Sequence, residues 1–188
     1  MSKIFLDLRS IYNHRAVCPD YEGRETLKKL GMDNYLKPNT LHFDRRIKKS
    51  GIECIFRKAQ NGLDNVECNA QLLDIEPFPV KKITISGFCI WGTFQEDFIL
   101  KGCDGSTRKA VACFSDVIWP LAFKEPYAIG EDKKMCLDRT QILCEVEWDG
   151  NQGYIYYFTT EFPIPKLIKQ ILFPDNCFMH IFAITIEN

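Results

Sequence analysis

The fold is decided by residues 65–92, which read NVECNAQLLDIEPFPVKKITISGFCIWG. The second half of this stretch, Ile83 to Ile90, is almost continuously apolar, which is typical of a strand buried near the centre of a β-sheet. The first half alternates apolar with polar residues and places four side chains on one face of a strand: Val66, Cys68, Ala70 and Leu72. The stretch therefore predicts two successive strands.

Further strands are predicted on both sides of this stretch. Alternating apolar residues put one face of Ile4 to Leu8, and one face of Ile52 to Phe56, towards a core. Downstream, Asp104-Gly105 is a strong hairpin turn signal, and the return strand is Lys109 to Phe114. Two-residue periodicity dominates this half of the chain.

The second half repeats the same pattern. Alternation over Ile142 to Trp148, a Gly-rich turn, and Tyr154 to Phe158 predict a second hairpin. Pro163 and Pro165 cannot donate to a sheet ladder, so the sequence predicts an interruption there and a separate strand over Lys166 to Phe173.

The chain closes with a predicted strand over His180 to Glu187, which we expect in the same fold as Ile4 to Leu8. The one short helix that the sequence favours is Glu25 to Leu30, because Gly31 can end it. Pro120 to Lys134 is the longest predicted loop. We expect an all-β protein whose two antiparallel sheets form one sandwich domain over residues 1–188.

Composition argues against two classes of partner. The chain has 24 Lys and Arg against 25 Asp and Glu, a formal net charge of −1, so no basic excess can neutralise a phosphate backbone. We therefore expect no nucleic acid partner. No apolar run of about 18 residues is present, so we expect no membrane partner either.

Cysteine usage gives an expectation about the compartment. The nine cysteines lie mostly inside apolar strands and form no CxxC pair, which argues against a zinc ribbon or a redox dithiol. We interpret them as buried free thiols of a cytoplasmic protein, with a disulfide framework as the alternative. The amino terminus, MSKIFLDLRS, does not have the pattern of a signal peptide.

The order of these segments resembles a known family. The opening segment Asp7 to Asn13, the polar strand Asn65 to Ile75 and the central strand Ile83 to Gly92 are similar to the galactose-binding-domain-like jelly-roll β-sandwiches. The turns Asp104-Gly105-Ser106 and Ser115-Asp116 resemble those of the same family. These sandwiches occur as carbohydrate-binding modules and accessory domains of glycoside hydrolases.

The end of the chain extends the resemblance, which covers most of its length. Phe173 to Asn176 looks like the family's closing turn, and His180 to Thr185 looks like its last strand. One departure is Tyr21 to Lys37, whose basic and leucine residues favour a helical turn where these modules often have a Gly- and Asp-rich turn. The resemblance implies a jelly-roll fold and a non-catalytic carbohydrate-binding function.

A sugar site needs an aromatic ring to stack on a pyranose and planar polar groups for paired hydroxyls. The residues of these types near predicted strand ends or on the polar strand form the candidate carbohydrate site: Tyr12, Asn13, His14, Asn69, Gln71, Trp91 and Trp119. For each of the two tryptophans, packing in the core or at an edge is the competing interpretation, because Trp is highly buried on average. Asn69 and Gln71 could instead satisfy neighbouring backbone groups.

Other functions have less support in the sequence. Glu145 and Glu147 share a strand face at a spacing compatible with a glycosidase pair, although a solvated strand face is the simpler interpretation. The only histidines, His14, His42 and His180, have no metal-ligand spacing, so we expect no metal and no cofactor. A scaffold protein that forms a homodimer through a sandwich face is the alternative function.

Overall fold

The computed structural model describes residues 2–17, 36–37, 41–118, 141–148 and 151–188 of the 188-residue chain. Within these ranges the chain is all-β, as the sequence predicts, and no helix occurs among them. The same ranges accordingly contain no helix with the length and apolarity needed to span a membrane.

Ten strands make up the regular structure of these ranges. In chain order they are β1 (Lys3–Phe5), β2 (Arg46–Lys49), β3 (Ile52–Ile55), β4 (Val66–Glu67), β5 (Leu72–Cys89), β6 (Phe94–Gly102), β7 (Thr107–Phe114), β8 (Gln141–Trp148), β9 (Asn151–Leu172) and β10 (Met179–Glu187). Eight of them form one curled antiparallel sheet with the path β1-β10-β5-β9-β6-β7, to which β4 adds beside β10 and β8 beside β9. Strands β2 and β3 form a separate two-stranded sheet.

The first and last strands lie in the same sheet, which agrees with the prediction that they belong to one fold. Strand β1 pairs directly with β10, with Ile4 opposite Ile186. Every residue of β10 is buried, and both of its edges are paired, one with β5 and the other with β1 and β4. The two predicted hairpins, β6–β7 and β8–β9, are also present.

The long strand β9 corrects one prediction. It runs without a break through Pro163 and Pro165, so the separate strand predicted over Lys166 to Phe173 is wrong. The ladder with β5 jumps from the pair Lys82–Glu161 to the pair Val80–Lys166, which leaves the prolines unpaired with β5 in a wide bulge. A bulge accommodates residues that cannot donate to the ladder.

The strand predicted over residues 66–72 is also wrong beyond its first residues. Strand β4 ends at Glu67, and Ala70 adopts a left-handed backbone with φ of 53°. Ala70 and Leu72 are exposed and do not share the buried face of Val66 and Cys68. The central strand β5 begins at Leu72, eleven residues earlier than the predicted Ile83.

The cysteines correct a third expectation. Among the described residues six cysteines are free, at positions 54, 68, 89, 103, 144 and 177. Cys113 is disulfide-bonded, and its partner lies outside the described residues, so the expectation that all nine thiols are free is wrong. Disulfides persist mainly in oxidising compartments, and a cytoplasmic location stays a prediction that this bond does not support.

Two predicted segments lie outside the described residues. They are the helix over Glu25 to Leu30 and the loop over Pro120 to Lys134.

Candidate functional site

The predicted site residues at positions 12–14 lie in a segment that is bound tightly to residues 57–67. Tyr12 is buried and its hydroxyl donates to the Arg57 carbonyl at 3.3 Å. The Asn13 side chain is exposed and makes two hydrogen bonds with the backbone of Glu67. His14 is buried and its backbone pairs with Asn65. Of these three, only Asn13 is exposed to solvent.

Asn69 and Gln71 lie in a turn between β4 and β5 rather than on a strand face. The Gln71 side chain accepts from the Asn69 backbone N–H at 2.7 Å and donates to the Glu67 carbonyl at 2.6 Å. The Gln71 amide thus satisfies backbone groups of its own turn, as the competing interpretation predicted.

Trp91 follows β5 directly and is the most exposed large apolar residue in the described ranges, at 70%. Its backbone has φ of 63°, in the left-handed region that bulky side chains rarely adopt. Of the competing interpretation, packing in the core or at an edge, the exposure of Trp91 excludes only the core. Trp119 lies outside the described residues.

Two phenylalanines accompany Trp91 at this end of the sheet. The Phe94 and Phe178 rings stack with centroids 5.6 Å apart and an interplanar angle of 15°. The Ile90 N–H donates to the Phe178 carbonyl, and the Phe94 ring lies beside Gly92, so both residues lie next to the Trp91 turn. We call Trp91, Phe94 and Phe178 the aromatic ledge.

Polar groups border the aromatic ledge. The Asn176 side chain donates to Glu96 Oε1 at 2.7 Å and accepts from the Phe178 backbone N–H at 3.0 Å. Next to Trp91 in the chain, the Gly92 N–H donates to the carboxylate of Asp116 at 3.1 Å. The ledge therefore combines apolar ring faces with planar polar groups, which is the chemistry that recognises a pyranose.

Hydrogen bonds on both sides hold the Trp91 turn in place. The Cys89 N–H donates to Ser115, the Val117 N–H donates to Cys89, and Asp116 Oδ1 accepts from the Ile118 N–H at 2.9 Å. A left-handed bulky residue costs roughly 1–3 kcal/mol and persists where its surroundings fix it. The surroundings here fix the Trp91 backbone while leaving its indole in solvent.

A second polar arrangement lies inside the protein. Asn65 bridges two buried histidines, with Nδ2 3.0 Å from His14 Nδ1 and Oδ1 3.0 Å from His180 Nδ1. The two imidazole rings lie 4.6 Å apart, and the Phe88 ring covers His180 at 5.2 Å. We call His14, Asn65 and His180 the histidine cluster.

Asp64 anchors the histidine cluster. Its carboxylate accepts from the backbone N–H groups of Ala16 and Val17 at 2.9 Å and from Asn65 Nδ2 at 2.8 Å. Burial raises the pKa of Asp64, and it lowers the pKa of His14 to about 4. Burial, with His14 nearby, also lowers the pKa of His180 well below its usual range.

The two glutamates considered for a glycosidase lie on strand β8. Glu147 makes an ion pair with Lys37, and Glu145 is exposed on the same strand. No group of three or more His, Cys, Asp or Glu residues that could hold a metal ion occurs in the part of the chain that the structure describes.

The sequence did not identify several residues of these two arrangements. Phe94, Glu96 and Phe178 have no local pattern that distinguishes them from other strand residues. Asn65 was recognised only as the start of a polar strand, and its role depends on histidines that are far away in the sequence. The Trp-Gly pair after the central strand was the one usable signal for the ledge.

Comparison with known proteins finds no family model and no curated protein that matches this chain.

Proposed function

We propose that this protein binds carbohydrate without catalysis, through the aromatic ledge, on a galactose-binding-domain-like jelly-roll sandwich. The sequence resemblance supports the fold and the ligand class. The all-β architecture and the pairing of the first and last strands agree with that fold.

One observation carries the proposal, namely the exposure of Trp91 at a strained position. Leaving an indole 70% exposed forgoes the stabilisation that burial would give it, and a left-handed backbone adds a cost. Trp148, by contrast, is 2% exposed and packs edge-on against Phe88. A residue that is costly for the fold and presented to solvent is best explained by a ligand that stacks on it.

The carboxylates next to the aromatic ledge favour an uncharged sugar. The Asp116 carboxylate is bonded to the Trp91 turn and the Glu96 carboxylate to Asn176, next to Phe178, and both can accept hydrogen bonds from sugar hydroxyls. The same negative charges repel uronates and sulfated sugars. We therefore expect neutral hexoses or pentoses as the recognised units.

A glycan array followed by titration tests this proposal. The purified protein should bind one or more neutral glycans, and the best of them should change the indole fluorescence on titration. Trp91→Ala should weaken binding at least about fivefold, because stacking on an exposed ring supplies on the order of 1 kcal/mol or more.

Ile164→Ala is the matched control. Ile164 is 68% exposed on β9, so its removal changes a similar kind of surface outside the ledge. It should leave glycan binding unchanged. A folded Trp91→Ala protein that binds glycans as well as wild type, or a protein that binds none of the array, would contradict the proposal.

A homodimer formed through a sheet face is the second candidate function. Ile164 and Leu167 expose apolar surface on β9, which favours an interaction there. Leu72, an exposed apolar residue of β5, is opposite Leu172, about 17 Å along the strand from Leu167, so these side chains do not form one patch. Light scattering of wild type and Ile164→Ser distinguishes a dimer that this change disrupts from a monomer.

A further inference from the structure

The histidine cluster contains two polar atoms that have no partner. His14 is 2% exposed and His180 is 1% exposed, and the Nε2 atom of each ring is buried without a hydrogen bond. A buried donor or acceptor that is left unpaired destabilises the folded state. Each such atom in a native protein calls for an explanation, and here the two lie on adjacent rings.

The side-chain amide of Asn65 determines which Nε2 carries a proton. Its Nδ2 donates both to Asp64 Oδ1 and towards His14 Nδ1, so His14 Nδ1 must be the bare acceptor and His14 Nε2 carries the hydrogen. Its Oδ1 accepts from His180 Nδ1, so His180 Nε2 is the bare acceptor.

The result does not depend on how the amide is oriented. An amide has one NH₂ group and one oxygen, so it always presents a donor to one ring and an acceptor to the other. A flipped amide would exchange the roles of His14 and His180 without making them equal. The two neutral rings therefore adopt opposite tautomers, and their Nε2 atoms are one donor and one acceptor.

This polarity fits water and does not fit a metal ion. A metal held by both rings needs a lone pair on each Nε2, and the amide of Asn65 allows it on only one ring. A water molecule accepts from an N–H and donates to a bare nitrogen at the same time.

We propose that the histidine cluster binds one internal water molecule, which accepts from His14 Nε2–H and donates to His180 Nε2. This water joins the segment after β1 to strand β10. Together with Asn65, it links three chain segments that are distant in the sequence into one hydrogen-bonded unit.

Nuclear magnetic resonance of the wild-type protein labelled with ¹⁵N in its histidines tests the proposal. The two buried rings should show opposite tautomers, one with the proton on Nε2 and the other with it on Nδ1, each in about tenfold excess or more. The Nε2 proton of the first ring should show a cross-peak to a long-lived water. Exposed His42 is the control in the same spectrum and should show no such water.

Three results would overturn the proposal. They are the same tautomer on both rings, a direct N–H···N bond between the rings with no water cross-peak, and a shift of both rings on addition of Zn²⁺. His180→Phe gives a second readout, since it removes the proposed acceptor but keeps a ring against Phe88. In this variant the water cross-peak should disappear, and its persistence would also count against the site.

Discussion

The aromatic ledge and the histidine cluster adjoin the same end of strand β5 but differ in every physical respect. Phe88 covers the buried cluster, and Trp91, three residues later, stands in solvent. In the cluster each side chain is buried and shares hydrogen bonds, whereas the ledge exposes aromatic rings on a strained turn. One short stretch of chain thus contributes both to a buried hydrogen-bonded cluster and to an exposed aromatic surface.

The largest expected effect comes from breaking the cluster. Asn65→Leu keeps the side-chain size but leaves His14 Nδ1, His180 Nδ1 and one Asp64 hydrogen bond unmade. Because each buried unsatisfied group costs about 1–3 kcal/mol, we expect a loss of about 3 kcal/mol or more in the free energy of unfolding. Urea denaturation measures it.

Asn69→Leu is the control for that change. Asn69 is exposed in the turn after β4, and its substitution should alter the free energy of unfolding by no more than about 0.5 kcal/mol. Equal losses in the two variants would remove the distinction between the cluster and the surface.

Acid should destabilise the protein through the same cluster. His14 is neutral in the folded state with its pKa lowered from 6.5 to about 4, so below pH 6.5 the unfolded chain binds more protons than the folded chain. Stability should therefore fall as the pH drops from 6.5 towards 4, by roughly 3 kcal/mol for His14 alone at about 1.4 kcal/mol per pH unit. His180 acts in the same direction.

Two carboxyl groups act with the opposite sign. Burial raises the pKa of Asp64 and Glu67, so in the pH range just above their ordinary values the folded state binds more protons and falling pH favours it. Denaturation from pH 6.5 down to about 5 measures the slope to which His14 contributes, and His14→Gln should flatten that slope. An unchanged slope in this variant would contradict the assignment.

A smaller effect of opposite sign is expected at the ledge. Trp91→Gly removes the strain at φ of 63°, so the free energy of unfolding should stay level or rise by about 1 kcal/mol, even though the residue becomes smaller. Glycan binding should be lost at the same time. Thermal unfolding and titration of one sample measure both.

Trp148→Ala provides the contrast. Removal of this buried ring should cost about 3–5 kcal/mol. If Trp91→Gly were destabilising to a similar extent, Trp91 would be a packing residue. That result would contradict the proposal that the aromatic ledge binds carbohydrate.

The smallest expected effect concerns the charge of the ligand. Glu96→Gln removes one carboxylate from the rim of the ledge but keeps an acceptor for Asn176. Because exposed charge pairs contribute about 0.2–1 kcal/mol, a uronate should bind up to about fivefold better to the variant, and a neutral sugar should bind almost equally. Calorimetry with both sugars checks it. A uronate that binds wild type as well as the variant would contradict the expected selectivity.

Local features of the fold were predictable from the sequence. The Asp104-Gly105 turn and the alternation of its two flanking strands require only neighbouring residues, and the hairpin β6–β7 is present as predicted. The path of β9 was not predictable, because Pro163 and Pro165 are tolerated only through a bulge opposite β5, a strand some eighty residues earlier. The periodicity of a sequence does not show where a bulge forms between two strands that are far apart in the chain.

The residues of the two sites were also only partly predictable from the sequence. Trp91 was named as a candidate from its place at a strand end beside Gly92, but its exposure depends on the left-handed backbone, which the sequence does not show. His14 was named for a different role, and its pairing with His180 follows from sheet register. Asn65 bridges the two only after the fold has formed.

The central claim is that the aromatic ledge is the carbohydrate site. A crystal structure of the wild-type protein with the best neutral glycan from the array tests it most directly. The account predicts a sugar ring stacked on the Trp91 indole, with hydroxyls on the carboxylate of Glu96 or Asp116. A glycan bound elsewhere on the protein, with the Trp91 indole left in solvent, would contradict it.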